Sequence, residues 1–64
     1  MWTVVYLAVG KNAAMKIINI LENEGFVVKT QFFAKDGEEE LYEILAPEFE
    51  AKDIQKVLYE MGII

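Results

Sequence analysis

A mixed α+β domain of ferredoxin-like type is predicted by three observations. The apolar segments fall at residues 2–9, 13–24, 26–34, 41–46 and 48–61, and their periodicity switches between strand and helix in the order β-α-β-β-α. Asp36-Gly37 stands between the third and fourth segments, where a hairpin needs residues that accept left-handed backbone. Pro47 stands just ahead of the last helical pattern, where its missing N–H is tolerated. This order is the β-α-β-β-α-β unit lacking its last strand. The predicted architecture is a three-stranded antiparallel sheet in order 1-3-2 with two helices on one face, forming a single domain over residues 1–64. A right-handed crossover from strand one to strand two leaves room for strand three between them. The absent fourth strand would leave strand one as an open edge.

Each element has a local cause. Residues 4–9 form an unbroken apolar run with three valines and a tyrosine, the pattern of a well-buried strand. Gly10-Lys11-Asn12 ends it, with Asn12 as the expected N-cap of the first helix. In that helix Ala14, Ile17, Ile18 and Leu21 share one face, while Lys16, Asn19, Glu22 and Asn23 lie away from it. Gly25 follows where a helix C-terminus favours positive φ.

The hairpin register follows from side-chain character. A two-residue Asp36-Gly37 loop would mix polar and apolar residues on both faces. A loop with one extra residue, and Gly37 in a bulge, instead gathers Phe26, Val28, Phe32, Tyr42, Ile44 and Ala46 on one face, with Thr30 the only polar member. The other face then carries Val27, Phe33, Leu41 and Leu45 around a Lys29/Glu43 pair. In strand one, the aliphatic set Thr3, Val5, Leu7 and Val9 is expected to face the helices. Trp2, Val4, Tyr6 and Ala8 are then outward, because aromatic residues with a polar atom tolerate partial exposure better.

The last helix presents Ile54, Val57, Leu58 and Met61, with Ala51 at the margin and Gly62 as terminator. Ile63 and Ile64 read as the stub of a fourth strand. The expected core is Ala14, Ile17, Leu21, Phe26, Val28, Ile44, Ile54, Leu58 and Met61.

Composition narrows the chemistry. A chain of 64 residues buries only about 60% of its unfolded surface and is marginal without a staple. There is no cysteine, so neither a disulfide nor a thiolate metal site is available. Histidine is absent too, and with it the commonest general base and metal ligand. Association is the staple that remains. The net charge is −5, and all six basic residues are lysines. Without arginine, bidentate recognition of phosphate or guanine is lost, so neither nucleic acid nor an anionic membrane is expected as a partner. No apolar run approaches the roughly 18 residues of a membrane span, and a cytoplasmic location is expected.

Gly10, Lys11 and Asn12, at the start of a helix, are the candidate anion-binding residues. The acidic cluster Asp36, Glu38, Glu39 and Glu40 lacks the alternating ligands of a calcium loop and reads as a solvated hairpin tip. There is no serine, and Thr3 and Thr30 have no histidine partner, so no nucleophilic constellation exists. No catalytic role, cofactor or metal is expected.

The stretch Trp2-Thr-Val-Val-Tyr-Leu-Ala, the helix with Ala14 and Leu21, Glu24-Gly-Phe-Val-Val28 and Tyr42-Glu-Ile-Leu-Ala-Pro-Glu48 together resemble a small bacterial domain-of-unknown-function family described as signal-transducing, with a PII-like, ferredoxin-like fold. That resemblance implies a regulatory or binding role without established catalysis. PII proteins proper have a long loop between strands two and three and a basic nucleotide site. Here the connection is short and arginine is absent, so no ligand-binding residue carries over.

The function expected is a non-catalytic regulatory or protein-interaction module. It would dock a protein partner or form a homodimer through the open edge of strand one and the face bearing Trp2, Val4, Tyr6, Phe33 and Leu45. The alternative is a sensing domain for a small ligand, an amino acid or anion, held near Gly10–Asn12 at a dimer interface.

Overall fold

The computed structural model describes residues 1–64. The elements are β1 (Trp2–Val9), α1 (Lys11–Asn23), β2 (Lys29–Asp36), β3 (Glu39–Pro47), a single 3-10 turn (Glu48–Glu50) and α2 (Ala51–Glu60). The strands form one antiparallel sheet in the order β1-β3-β2, as the sequence predicts. One core cluster draws Val5 and Ala8 from β1, Ile44 and Ala46 from β3, Ala14, Ile17, Ile18 and Leu21 from α1, and Ile54 and Leu58 from α2. Both helices therefore cover the same side of the sheet. No side chain of β2 is buried.

Both helices end in the same way. After α1, the Gly25 N–H donates to the Glu22 carbonyl and the Phe26 N–H to the Leu21 carbonyl, each at 3.0 Å. After α2, the Gly62 N–H donates to Tyr59 at 3.0 Å and the Ile63 N–H to Leu58 at 2.9 Å. This is the Schellman pattern, which requires a left-handed residue. Gly25 (φ 92°) and Gly62 (φ 74°) supply it without Cβ strain. The apolar residue after each glycine, Phe26 or Ile63, folds back onto the core.

This motif corrects two expectations. Met61 is not core: α2 stops at Glu60, Met61 is its C-cap, and the side chain is 52% exposed. Ile63 packs against the core instead, so Ile63 and Ile64 close a helix and do not begin a strand. Phe26 and Val28 precede β2 and are only half-buried against the core. The N-terminus of α1 also differs. Its N-cap is Gly10 (φ 90°, ψ 148°), whose carbonyl accepts from the Ala14 N–H at 3.1 Å, and Asn12 lies within the first turn. Pro47 ends β3 and leads into the 3-10 turn before α2 begins at Ala51. The Glu48 N–H donates to the Met1 carbonyl at 2.8 Å, tying that turn to the start of β1.

Two bulges set the faces of the sheet. In β2, Phe32 pairs with Tyr42 and Ala34 with Leu41, so Phe33 is the extra residue. Asp36 pairs with Glu39, which leaves Gly37-Glu38 as a two-residue connection. The irregularity is thus at Phe33 and not at Gly37. Beyond it, Thr30 lies opposite Ile44 and Phe32 opposite Tyr42, so the helix-facing set expected from the sequence is met. In β1, Val4 pairs with Leu45 and Tyr6 with Ile44, so Val5 is extra. Val5 is buried in the core and Tyr6 packs against it, while Leu7 and Val9 turn outward.

Candidate functional site: the uncovered sheet face

The face of the sheet opposite the helices is the most distinctive surface of the molecule. Its cross-strand rows follow from the register: Trp2 beside Pro47, then Val4–Leu45–Lys29, then Leu7–Glu43–Gln31, then Val9–Leu41–Ala34 with Phe33 bulging beside them. Trp2 is 41% exposed, Leu7 44% and Phe33 55%, and Val4 and Val9 are also exposed. Three strands about 4.8 Å apart and about 25 Å long give this face a footprint of about 400 Å². Lys29, Gln31 and Glu43 take part of it, so its apolar portion is at most the scale of the largest apolar patch a monomer commonly shows, and such patches are often functional.

Polar groups on this face are few and engaged. The Lys29 ammonium lies 4.2 Å from the centroid of the Trp2 ring. The Gln31 amide donates to the Glu43 carboxylate at 2.9 Å, while from the helix-facing side the Thr30 hydroxyl donates to the Glu43 carbonyl at 3.0 Å. Lys29 is therefore not paired with Glu43. It stands opposite Leu45, and Gln31 takes the position beside Glu43.

Of the five surface residues expected from the sequence, Trp2, Val4 and Phe33 are exposed on this face. Tyr6 is not among them, because the Val5 bulge rotates it to the helix side, where it packs on the core. Leu45 is on the outer face but only 9% exposed. Lys29 of β2 and Trp2 of β1 meet across β3, and Leu45 lies beneath that bridge. The same bulge brings out Leu7 and Val9, which strict alternation in β1 assigns to the interior. No residue type in β1 marks the change of phase, since a bulge of this kind needs none.

The edge of β1 is unpaired, since its one ladder is to β3. It is not bare along its length. The Gln55 side-chain amide of α2 donates to the Val5 carbonyl at 2.6 Å, at the bulge. A bulge capped from a helix discourages an added strand at mid-edge.

Gly10 lies in a different place, at a hollow of about 340 Å³ lined by Val9, Gly10, Lys35, Glu38, Glu39 and Glu40. The Gly10 N–H is already taken by the Glu40 carbonyl at 2.7 Å. Lys11 and Asn12 do not line the hollow. Three glutamates against one lysine make it a poor home for an anion. No group of acidic side chains is arranged to hold a metal ion, and no polar side chain is buried.

On the helix side, near the hairpin tip, Phe32 and Tyr42 meet edge to face with ring centroids 5.7 Å apart and planes at 80°. The Tyr42 hydroxyl donates to the Glu40 carboxylate at 3.2 Å. Partial burial, then this hydrogen bond and the nearby negative charge, raise the Tyr42 pKa above its ordinary 10.0.

No helix is long and apolar enough to cross a membrane. The chain matches no protein-family model, and neither the curated proteins nor the solved structures contain a match to it.

Proposed function

We propose that this chain is a non-catalytic, regulatory protein-interaction module that works in the cytoplasm and docks through the outer face of its sheet. The observation that carries this reading is the exposure of Trp2, Val4, Leu7, Val9 and Phe33 together on a sheet face that no helix covers. Burying apolar area yields roughly 25 cal/mol per Å², so covering this face supplies a substantial driving force for association. The face favours side-chain burial over strand addition, since the β1 edge is bulged and capped by Gln55. The resemblance to a signal-transducing, PII-like family points the same way. The sensing alternative has less support, because the hollow beside Gly10 is rimmed by carboxylates.

Radical footprinting tests the proposal. Trp2, Leu7 and Phe33 should be labelled readily in dilute purified protein and protected in concentrated extract of the source cells. Equal labelling in both settings refutes the docking role of this face.

A further inference from the structure

We infer that the occupant of the outer face is a second copy of this chain, packed sheet to sheet about a two-fold axis that runs across the strands. The two hairpin tips then point to opposite ends of the pair. This rests on the outer face being the docking surface and adds its partner.

Charge selects both the partner and the axis. The cross-strand rows between Trp2 and Leu41 hold one cation, Lys29, and one anion, Glu43, in adjacent rows. The hairpin tip holds Asp36, Glu38, Glu39 and Glu40 against Lys35 alone. A two-fold axis parallel to the strands would stack each tip on its twin and set Glu43 of one copy over Glu43 of the other. Like charges so placed are repulsive. An axis across the strands removes both clashes. It turns the tips apart and lays the Leu7–Glu43–Gln31 row of one copy over the Val4–Leu45–Lys29 row of its mate. Each Glu43 then lies beside the mate's lysine, so the same two rows complement themselves in an isologous contact.

Area sets the strength. A footprint of about 400 Å² per copy, or about 800 Å² for the pair before side-chain relief is counted, is smaller than a stable interface and has the size of a weak, transient one. The pair is therefore weak and reversible, and the concentrations that test it run from about 10 µM to about 1 mM. A chain with only 11 buried residues gains cover for a face that it cannot cover itself.

Sedimentation equilibrium across that concentration range is the first test, and a monomer–dimer equilibrium is expected. Leu7→Asp should weaken it at least tenfold, and so should Val4→Lys, with circular dichroism confirming that each variant folds. The chain has no cysteine, so a spin label placed by Glu38→Cys is unique. With tips at opposite ends, labels in the dimer should be about 40 Å apart. A label separation under about 20 Å, or a dimer insensitive to both face variants, overturns the arrangement. A strict monomer overturns self-association. In that case, protection of Trp2 and Leu7 in cell extract would still uphold docking by this face to a different partner, and its absence would refute both.

Discussion

The Lys29 ammonium reaches across the central strand to lie 4.2 Å from the Trp2 ring centroid, joining the two edge strands over Leu45. The lysine stem supplies apolar cover and the ammonium meets the negative face of the indole. Lys29→Ala should cost about 0.5–1 kcal/mol and shift Trp2 fluorescence as the ring loses its cation. Unchanged emission and an unchanged melting temperature would show that the bridge has no energetic weight.

Tyr6 and Leu7 are neighbours with opposite roles, because the bulge at Val5 puts one inward and the other outward. Tyr6→Lys places a charge against the core and should destabilise the fold by about 2 kcal/mol or more. Leu7→Lys, on the open face, should stay within about 1 kcal/mol of the parent. Urea unfolding of the two variants decides it, and the reverse ranking would place the bulge elsewhere.

Leu21 and Leu58 are fully buried and each also anchors the last turn of its helix. Alanine at either should cost about 2–5 kcal/mol, a large share of the stability of a small domain. Met61→Ala should change the melting temperature little, since Ile63 and not Met61 packs on the core. A large loss at Met61 would contradict the helix-end geometry.

Gln55 is the only side chain of α2 that hydrogen-bonds to the sheet, through the Val5 carbonyl at 2.6 Å. Gln55→Ala should cost about 1 kcal/mol, the usual worth of such a bond. Gln55→Glu should cost more, because a carboxylate cannot donate to a carbonyl. Thermal melts at neutral pH separate the three proteins, and equal stability of all three would rule the bond out as a support.

Tyr42 sets a high-pH response. Its pKa is raised in the folded state, by burial first and then by its hydrogen bond to Glu40 and that carboxylate's charge. Below the unfolded value near 10, both states keep the proton and stability is unaffected. Above it, the unfolded chain releases a proton that the folded one retains, so stability falls as pH rises toward the folded pKa. Ultraviolet titration should show Tyr42 ionising above its ordinary pKa, and Glu40→Gln should reduce that shift without abolishing it. No change in that variant would remove Glu40 as a contributor.

The segment order, the strand order and the helix faces were legible in the sequence because each rests on a period. Ile54 and Leu58, or Ile17 and Leu21, recur at helical spacing and are buried together. The face of β1 was not legible. A bulge inserts one residue without a required residue type, and alternation read through Val5 assigns Tyr6, Leu7, Ala8 and Val9 to the wrong sides. In the hairpin the same irregularity was inferred from side-chain character but placed at Gly37, whereas the extra residue is Phe33. Met61 was misplaced because helical spacing was carried past the point where Gly62 reverses the chain. The candidate surface was half legible for the same reason: Trp2, Val4 and Phe33 belong to it, Leu7 and Val9 were missed, and Tyr6 does not belong.

That β2 buries none of its side chains has a dynamic consequence. Strand β2 is held by its ladder to β3, by exposed side-chain contacts of Thr30, Gln31 and Phe32 with Glu43 and Tyr42, and by the Lys29 bridge, while the buried core closes over β1 and β3 without it. Opening β2 therefore exposes little apolar area and costs less than global unfolding. Amides of Lys29–Asp36 belong to a partial opening, whereas those linking β1 to β3 wait for the whole domain to unfold. During each such excursion β3, still paired with β1, becomes an edge strand with unpaired donors and acceptors along its other side. The β2 segment of another molecule has the sequence to fill that vacancy, so exchange of this strand between copies is the characteristic misassembly open to this fold.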